Sequence, residues 1–170
     1  VSKQLVDRVK TPCIGVCSTG IGDSVCRGCK RFAHEVIHWN GYSEPQKRII
    51  DKRLEEFLAQ IVETKLRVTD PELLRWNLET QQIRFPINKS PYIWAYELLR
   101  AGASQLKDLS RYGLQLDAQY IDTDLRELRL AIDAEFYLLS EAHYLRYFIP
   151  SAADPDDTSA QQHAPAVSGL

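Results

Sequence analysis

Methionine is missing from this 170-residue chain altogether, and cysteine is confined to one short stretch near its start. No run of about 18 apolar residues occurs, so the sequence contains no membrane span. The opening segment VSKQLVDRVK alternates charge with short aliphatics. It has no apolar h-region, so it does not read as a secretory signal, and the expected location is the cytoplasm. Strong charge of either sign is lacking too: the net charge is −2 and the pI about 6.1, where a general nucleic-acid binder would be more basic. There is no phosphate loop, no dinucleotide fingerprint, no serine-elbow motif and no internal repeat.

What is present is an ordinary globular composition, 44% hydrophobic and 26% charged. A core can therefore form without a metal, and any metal would matter locally. Charge is uneven along the chain. Residues 1–65 carry 11 Lys/Arg against 8 Asp/Glu, and residues 66–150 carry 10 against 12. The weak positive excess surrounds the cysteines.

The pattern predicts a mostly α protein. An N-terminal cysteine-rich metal-binding loop module (1–65) is followed by a helical bundle (66–150) and a disordered tail (151–170). Residues 1–10 read as a frayed or lightly docked arm. Residues 32–39 read as a short helix ended by Asn40-Gly41. Ser43, Pro45 and Gln46 form a capping-box start for a long helix whose apolar stripe is Ile49, Ile50, Leu54, Phe57, Leu58, Ile61 and Val62. Asp70-Pro71 and Ser90-Pro91 open two more helices, the first carrying Leu73, Leu74, Trp76 and Leu78. QQIRFPI is a short strand or an extended connector. Residues 106–112 read as a short helix broken at Gly113. A long final helix begins near Asp122 or Thr123 and buries Leu125, Leu128, Ile132, Phe136 and Leu139. The last twenty residues are small, polar and proline-containing, hence the disordered tail.

Cys13, Cys17, Cys26 and Cys29 are spaced C-x3-C-x8-C-x2-C in a glycine-rich loop. In a cytoplasmic chain, thiols so clustered are metal ligands before they are disulfides. Four thiolates suit zinc in a closed tetrahedron, which makes a structural site, or an iron–sulfur cluster. Ligand type alone does not separate the two. Gly28 relieves the tight C-x2-C backbone. Arg27, Lys30 and Arg31 bracket the last pair and favour thiolate over thiol. Ile14, Val16, Ile21 and Val25 offer partial apolar shielding.

These residues carry a resemblance. Pro12, Cys13, Cys17, Cys26, Arg27, Gly28, Cys29, Arg31, Glu35 and Trp39 match the pattern of the YdhL-like bacterial four-cysteine proteins, a family of unknown function described as predicted iron–sulfur proteins. The likeness covers roughly residues 11–60. It implies a metal centre on the four cysteines and supplies no reaction.

Residues 34–38 read His-Glu-Val-Ile-His, the H-E-x-x-H pattern of zinc hydrolases. The segment is short, Gly41 closes it, and no second motif accompanies it. The reading preferred is that Val36, Ile37 and Trp39 pack inward while His34 and His38 line the surface or cover the metal loop. His143 reads as a core-edge histidine, and Tyr92, Trp94 and Tyr96 as split between core and surface. The expected function is a small cytoplasmic metal-binding protein with one four-cysteine centre, zinc or iron–sulfur, acting as a non-enzymatic docking protein. Its basic rim of Arg27, Lys30, Arg31, Lys47 and Arg48 would meet a protein partner, with nucleic acid the weaker option. The alternatives are an iron–sulfur electron carrier or sensor and, behind it, the hydrolase.

Overall fold

The computed structural model describes residues 8–149. The disordered tail expected at 151–170, and most of the frayed arm, lie outside the described residues. Among those described, five α-helices carry the fold: α1 (Ala33–His38), α2 (Glu44–Glu63), α3 (Pro71–Thr80), α4 (Pro91–Gly102) and α5 (Leu125–Phe148). A two-stranded antiparallel sheet joins β1 (Leu66–Val68) to β2 (Leu114–Leu116), with Leu66 opposite Leu116 and Val68 opposite Leu114.

The helix starts follow local chemistry. Ser43 accepts from the Gln46 amide while Gln46 reaches back to the Ser43 amide, a reciprocal cap with Pro45 in the first turn. Asp70, Ser90 and Asp124 cap α3, α4 and α5 through their side chains, and proline follows the first two. Helices α2, α4 and α5 pack on one another, and α3 packs on α4. Leu54, Leu58 and Val62 on α2, Leu98 and Leu99 on α4, and Leu128, Ile132 and Phe136 on α5 belong to one buried cluster. That cluster runs from Trp39 to Phe136, so the core crosses residue 65 without interruption.

Several expectations need correction. Ile49 is 71% exposed and lies off the α2 stripe, and Trp76 on α3 is also exposed. The stripe turns about 100° per residue, and Ile50 occupies the inward position next to Ile49. Residues 106–112 do not form an α-helix: only a 3-10 turn, Leu109–Tyr112, is present, capped by Asp108. Gly113 is followed by β2, a strand the apolar pattern did not announce because it is three residues long. Gly113 enters β2 with φ +70°, and a side chain there would lie 2.3 Å from the Asp70 carbonyl oxygen. Here glycine answers a close backbone approach as well as a left-handed turn. QQIRFPI is a connector. Among the described residues no helix is long and apolar enough to cross a membrane.

Leu128 is fully buried between the packed helices. Leu128→Ala should lower unfolding free energy by roughly 2–5 kcal/mol in urea titration. Trp76→Ala, on the exposed face, should stay within about 0.5 kcal/mol of the parent.

Candidate metal centre

Residues 24–33 fold back on themselves as a tight hairpin. Val25 bridges Phe32 in antiparallel sense, and the Cys26 amide donates to the Arg31 carbonyl at 2.9 Å. The Lys30 amide returns to the Cys26 carbonyl at 2.8 Å, closing a turn with Cys26 and Cys29 in it. Lys30 sits at φ +61°, a left-handed position usually filled by glycine and costing a side-chain-bearing residue about 1–2 kcal/mol. Its side chain accounts for its presence. The ammonium donates to the Gly28 carbonyl at 3.2 Å and to the Asp133 carboxylate of α5, and it lies 5.5 Å from the Phe136 ring centre.

The first cysteine loop lies across this turn. A side chain at Gly28 would be 2.5 Å from the Val16 carbonyl oxygen and 3.0 Å from Ile14. The Cys26 thiol donates to that Val16 carbonyl at 3.7 Å, and the Arg27 amide donates to the Ser18 hydroxyl at 2.8 Å. Glycine at 28 is thus what lets the C-x3-C segment reach the C-x2-C turn.

The four sulfurs differ in environment. Cys26 and Cys29 are buried, Cys13 and Cys17 are exposed, and none forms a disulfide. Burial pushes the Cys26 thiol up, but amides of Cys29, Ser18 and Gly28 and the Cys29 thiol donate to its sulfur and bring it down to about 7. For Cys29 burial prevails and the pKa rises, although the Arg31 guanidinium pulls the other way. Arg31 Nε donates to the Cys29 sulfur at 3.3 Å. The Cys13 sulfur accepts from the Gly15 amide at 3.4 Å, and the Cys17 thiol pairs with the Thr19 hydroxyl at 3.0 Å. Among the described residues, no three Cys, His, Asp or Glu side chains converge as metal ligands in this conformation.

The residues nevertheless fit a thiolate-bound ion. The donor set is all sulfur, and the two sulfurs of the turn already receive hydrogen-bond donors. Arg31 Nη1 is buried with no acceptor while its Nε points at Cys29, so the site has a cationic donor to spare. Extra negative charge on the sulfurs is what that arrangement lacks.

The charged neighbours are not the rim the sequence suggested. Lys30 is 1% exposed and Arg31 is 3% exposed. Arg31 stacks on Trp39, its guanidinium carbon 4.7 Å from the ring centre. Arg27 remains at the surface, paired with Asp23 at 3.0 Å. The shielding is also thinner than expected: Val25 is buried, but Ile14, Val16 and Ile21 are exposed, Ile21 by 86%.

The H-E-x-x-H segment has a different occupation. Glu35 accepts from the Phe32 amide at 2.9 Å and from Arg53 Nη2 at 2.8 Å, and that guanidinium lies 4.0 Å from the Phe32 ring centre. The carboxylate is buried in an ion pair rather than poised over a substrate. His38 is exposed, with Nδ1 2.8 Å from the His34 carbonyl oxygen, and His34 packs against Phe32 and Phe148. Ile37 is exposed, contrary to expectation, because α1 is only six residues long and the Glu35 and Trp39 side takes the interior. His143 is half-buried between Phe57 and Tyr147. Trp94 and Tyr96 are buried and Tyr92 is half-buried. No sequence signal linked Lys30 to Asp133 or Glu35 to Arg53; the first pair is 103 residues apart.

Fold and site together define a small helical protein headed by a cysteine hairpin. Residues 11–58 match the model of a family described as Protein of unknown function (DUF1289). The match takes in all four cysteines, α1 and most of α2, and the description names no activity. No curated protein and no solved structure matches the chain.

The ion pair accounts for Glu35 without any reaction. Glu35→Ala, which strands the Arg53 guanidinium, should cost on the order of 3–5 kcal/mol in urea denaturation. His38→Ala should cost no more than about 0.5 kcal/mol. Equal costs for the two would contradict the assignment.

Proposed function

We propose that the chain is a non-enzymatic metal-binding protein whose Cys13, Cys17, Cys26 and Cys29 hold one centre and shape a docking surface for a protein partner. The observation that carries this reading is the crossing of the C-x3-C loop over the C-x2-C turn at Gly28, which puts both cysteine pairs in one small region. A single ion suits the turn best. Cys26 and Cys29 share one tight turn, closed by the Lys30 amide on the Cys26 carbonyl, as two ligands of one tetrahedral zinc would. A bound zinc supplies a crosslink between the loop and the hairpin and offsets the charge of the thiolates. It leaves no open position for substrate when all four sulfurs are engaged. The docking face is then apolar rather than basic: Ile14, Val16 and Ile21 stand exposed around the cysteine loop. The reading carries a reducing compartment with it.

A second reading, an iron–sulfur electron carrier or sensor, draws on Arg31. A buried cation that donates to the Cys29 sulfur would raise a cluster's potential.

Metal analysis and an ultraviolet–visible spectrum of protein purified without oxygen test both. The first reading expects about one zinc per chain, no visible band, and loss of the metal in Cys26→Ser and Cys29→Ser. Iron with a visible charge-transfer band would select the second. Protein with neither metal, in which those variants leave residues 11–31 as protease-resistant as before, would end both.

A further inference from the structure

A second feature borders the cysteine turn. A cleft of about 860 Å3 opens between the segment from Arg8 to Ile14, the turn, α2, the 85–89 connector, α4 and α5. That volume is in the range of small-molecule sites. Its apolar part is formed by Leu54, Leu58, Ile93 and Phe136, residues whose other faces belong to the helical core.

The charges around it do not balance. Seven Lys and Arg side chains line the cleft against four Asp and Glu. Most of them are already matched. Lys30 is paired with Asp133, Lys89 with Asp51 and Arg100 with Glu97, while Arg27 turns to Asp23 outside the cleft. The remaining acid, Glu55, accepts the Ser90 amide at the start of α4 at 2.9 Å. Among the described residues Arg8, Lys10, Arg129 and Glu55 have no ion-pair partner, so the unmatched charge is three positive against one negative. Arg129 stands one helical turn before Asp133 on α5, half-buried and on the cleft side. Its planar fork suits a carboxylate or a phosphate.

We propose that this cleft binds a small organic anion with an apolar body, a medium-chain or aryl carboxylate. Arg129, with Arg8 and Lys10, holds the charge, and Leu54, Leu58, Ile93 and Phe136 hold the body. Neither half suffices alone. The cations are partly solvated, so a bare anion gains little from them. The apolar floor accepts any hydrocarbon, so the sign of the head group decides between ligands. None of these seven residues is a sulfur donor, although Cys29 forms part of the cleft wall.

Calorimetric titration of the full chain, as purified, with octanoate, octylamine and acetate tests this. Octanoate should bind with Kd below about 1 mM, and octylamine and acetate at least about tenfold more weakly. Arg129→Gln should weaken octanoate about tenfold or more while leaving the urea midpoint in place, since Arg129 supports no other side chain. Lys10→Gln, at an exposed position, should weaken it in the same direction. Lys107→Gln, outside the cleft, should bind as the parent does. Octanoate and octylamine binding alike, no octanoate binding at 1 mM, or parental affinity in both Arg129→Gln and Lys10→Gln would overturn the proposal. Any of those results leaves the metal content of the cysteine centre unaffected, so the two readings fail separately.

Discussion

Lys30 occupies a left-handed backbone conformation with almost no access to solvent, and both follow from where its ammonium goes. The amide closes the cysteine turn onto Cys26, and the side chain crosses to the Gly28 carbonyl and to Asp133 on α5. One residue therefore fixes the shape of the turn and its position on the helical body. A buried ammonium is tolerable only with such partners, since an unpaired one would cost several kcal/mol. The same pairing sets the boundary of the cleft beside it, because it takes Asp133 out of play and leaves Arg129 unmatched. Tyr96 donates to the same carboxylate at 3.5 Å, and burial together with Asp133 pushes its hydroxyl up to about 12, so it stays a donor.

The hairpin depends on further contacts of the same kind. Arg31 bridges the Cys29 sulfur and the Trp39 ring, and Glu35 joins the Phe32 amide to Arg53 on α2. The two cysteines of the turn thus sit in a scaffold set by side chains that reach the bundle. The other two sit in a loop whose main attachments are the close pass over Gly28 and the Ser18 hydroxyl bond. A thiolate-bound ion would add what that loop lacks, a strong link of its own to the rest of the protein.

Much of the helical framework was legible in the sequence because its signals are local. Ser43, Asp70 and Ser90 mark helix starts by the hydrogen bonds their own side chains make, whereas α5 is capped by Asp124 and not at Asp122 or Thr123 as expected. Apolar spacing marked Leu54, Leu58, Leu128 and Ile132 as interior. The cysteine spacing and Gly28 identified the candidate centre in the same way. What was not legible depends on residues far apart in sequence. Lys30 and Arg31 read as surface charge because nothing near them announces Asp133 or the Trp39 face. The pairing of β1 with β2 was hidden for the same reason, since three-residue strands give no periodicity. The H-E-x-x-H run shows the reverse case: a local pattern whose meaning changes once Arg53, eighteen residues on, is seen to hold the glutamate.

The central claim is that sulfur from both cysteine pairs gathers around one cation. X-ray absorption at the metal edge, on protein purified anaerobically, measures that directly. The account predicts a shell of four sulfur neighbours, at about 2.3 Å if the metal is zinc. A shell dominated by nitrogen or oxygen at about 2.0–2.1 Å, as the histidines of α1 would give, contradicts it.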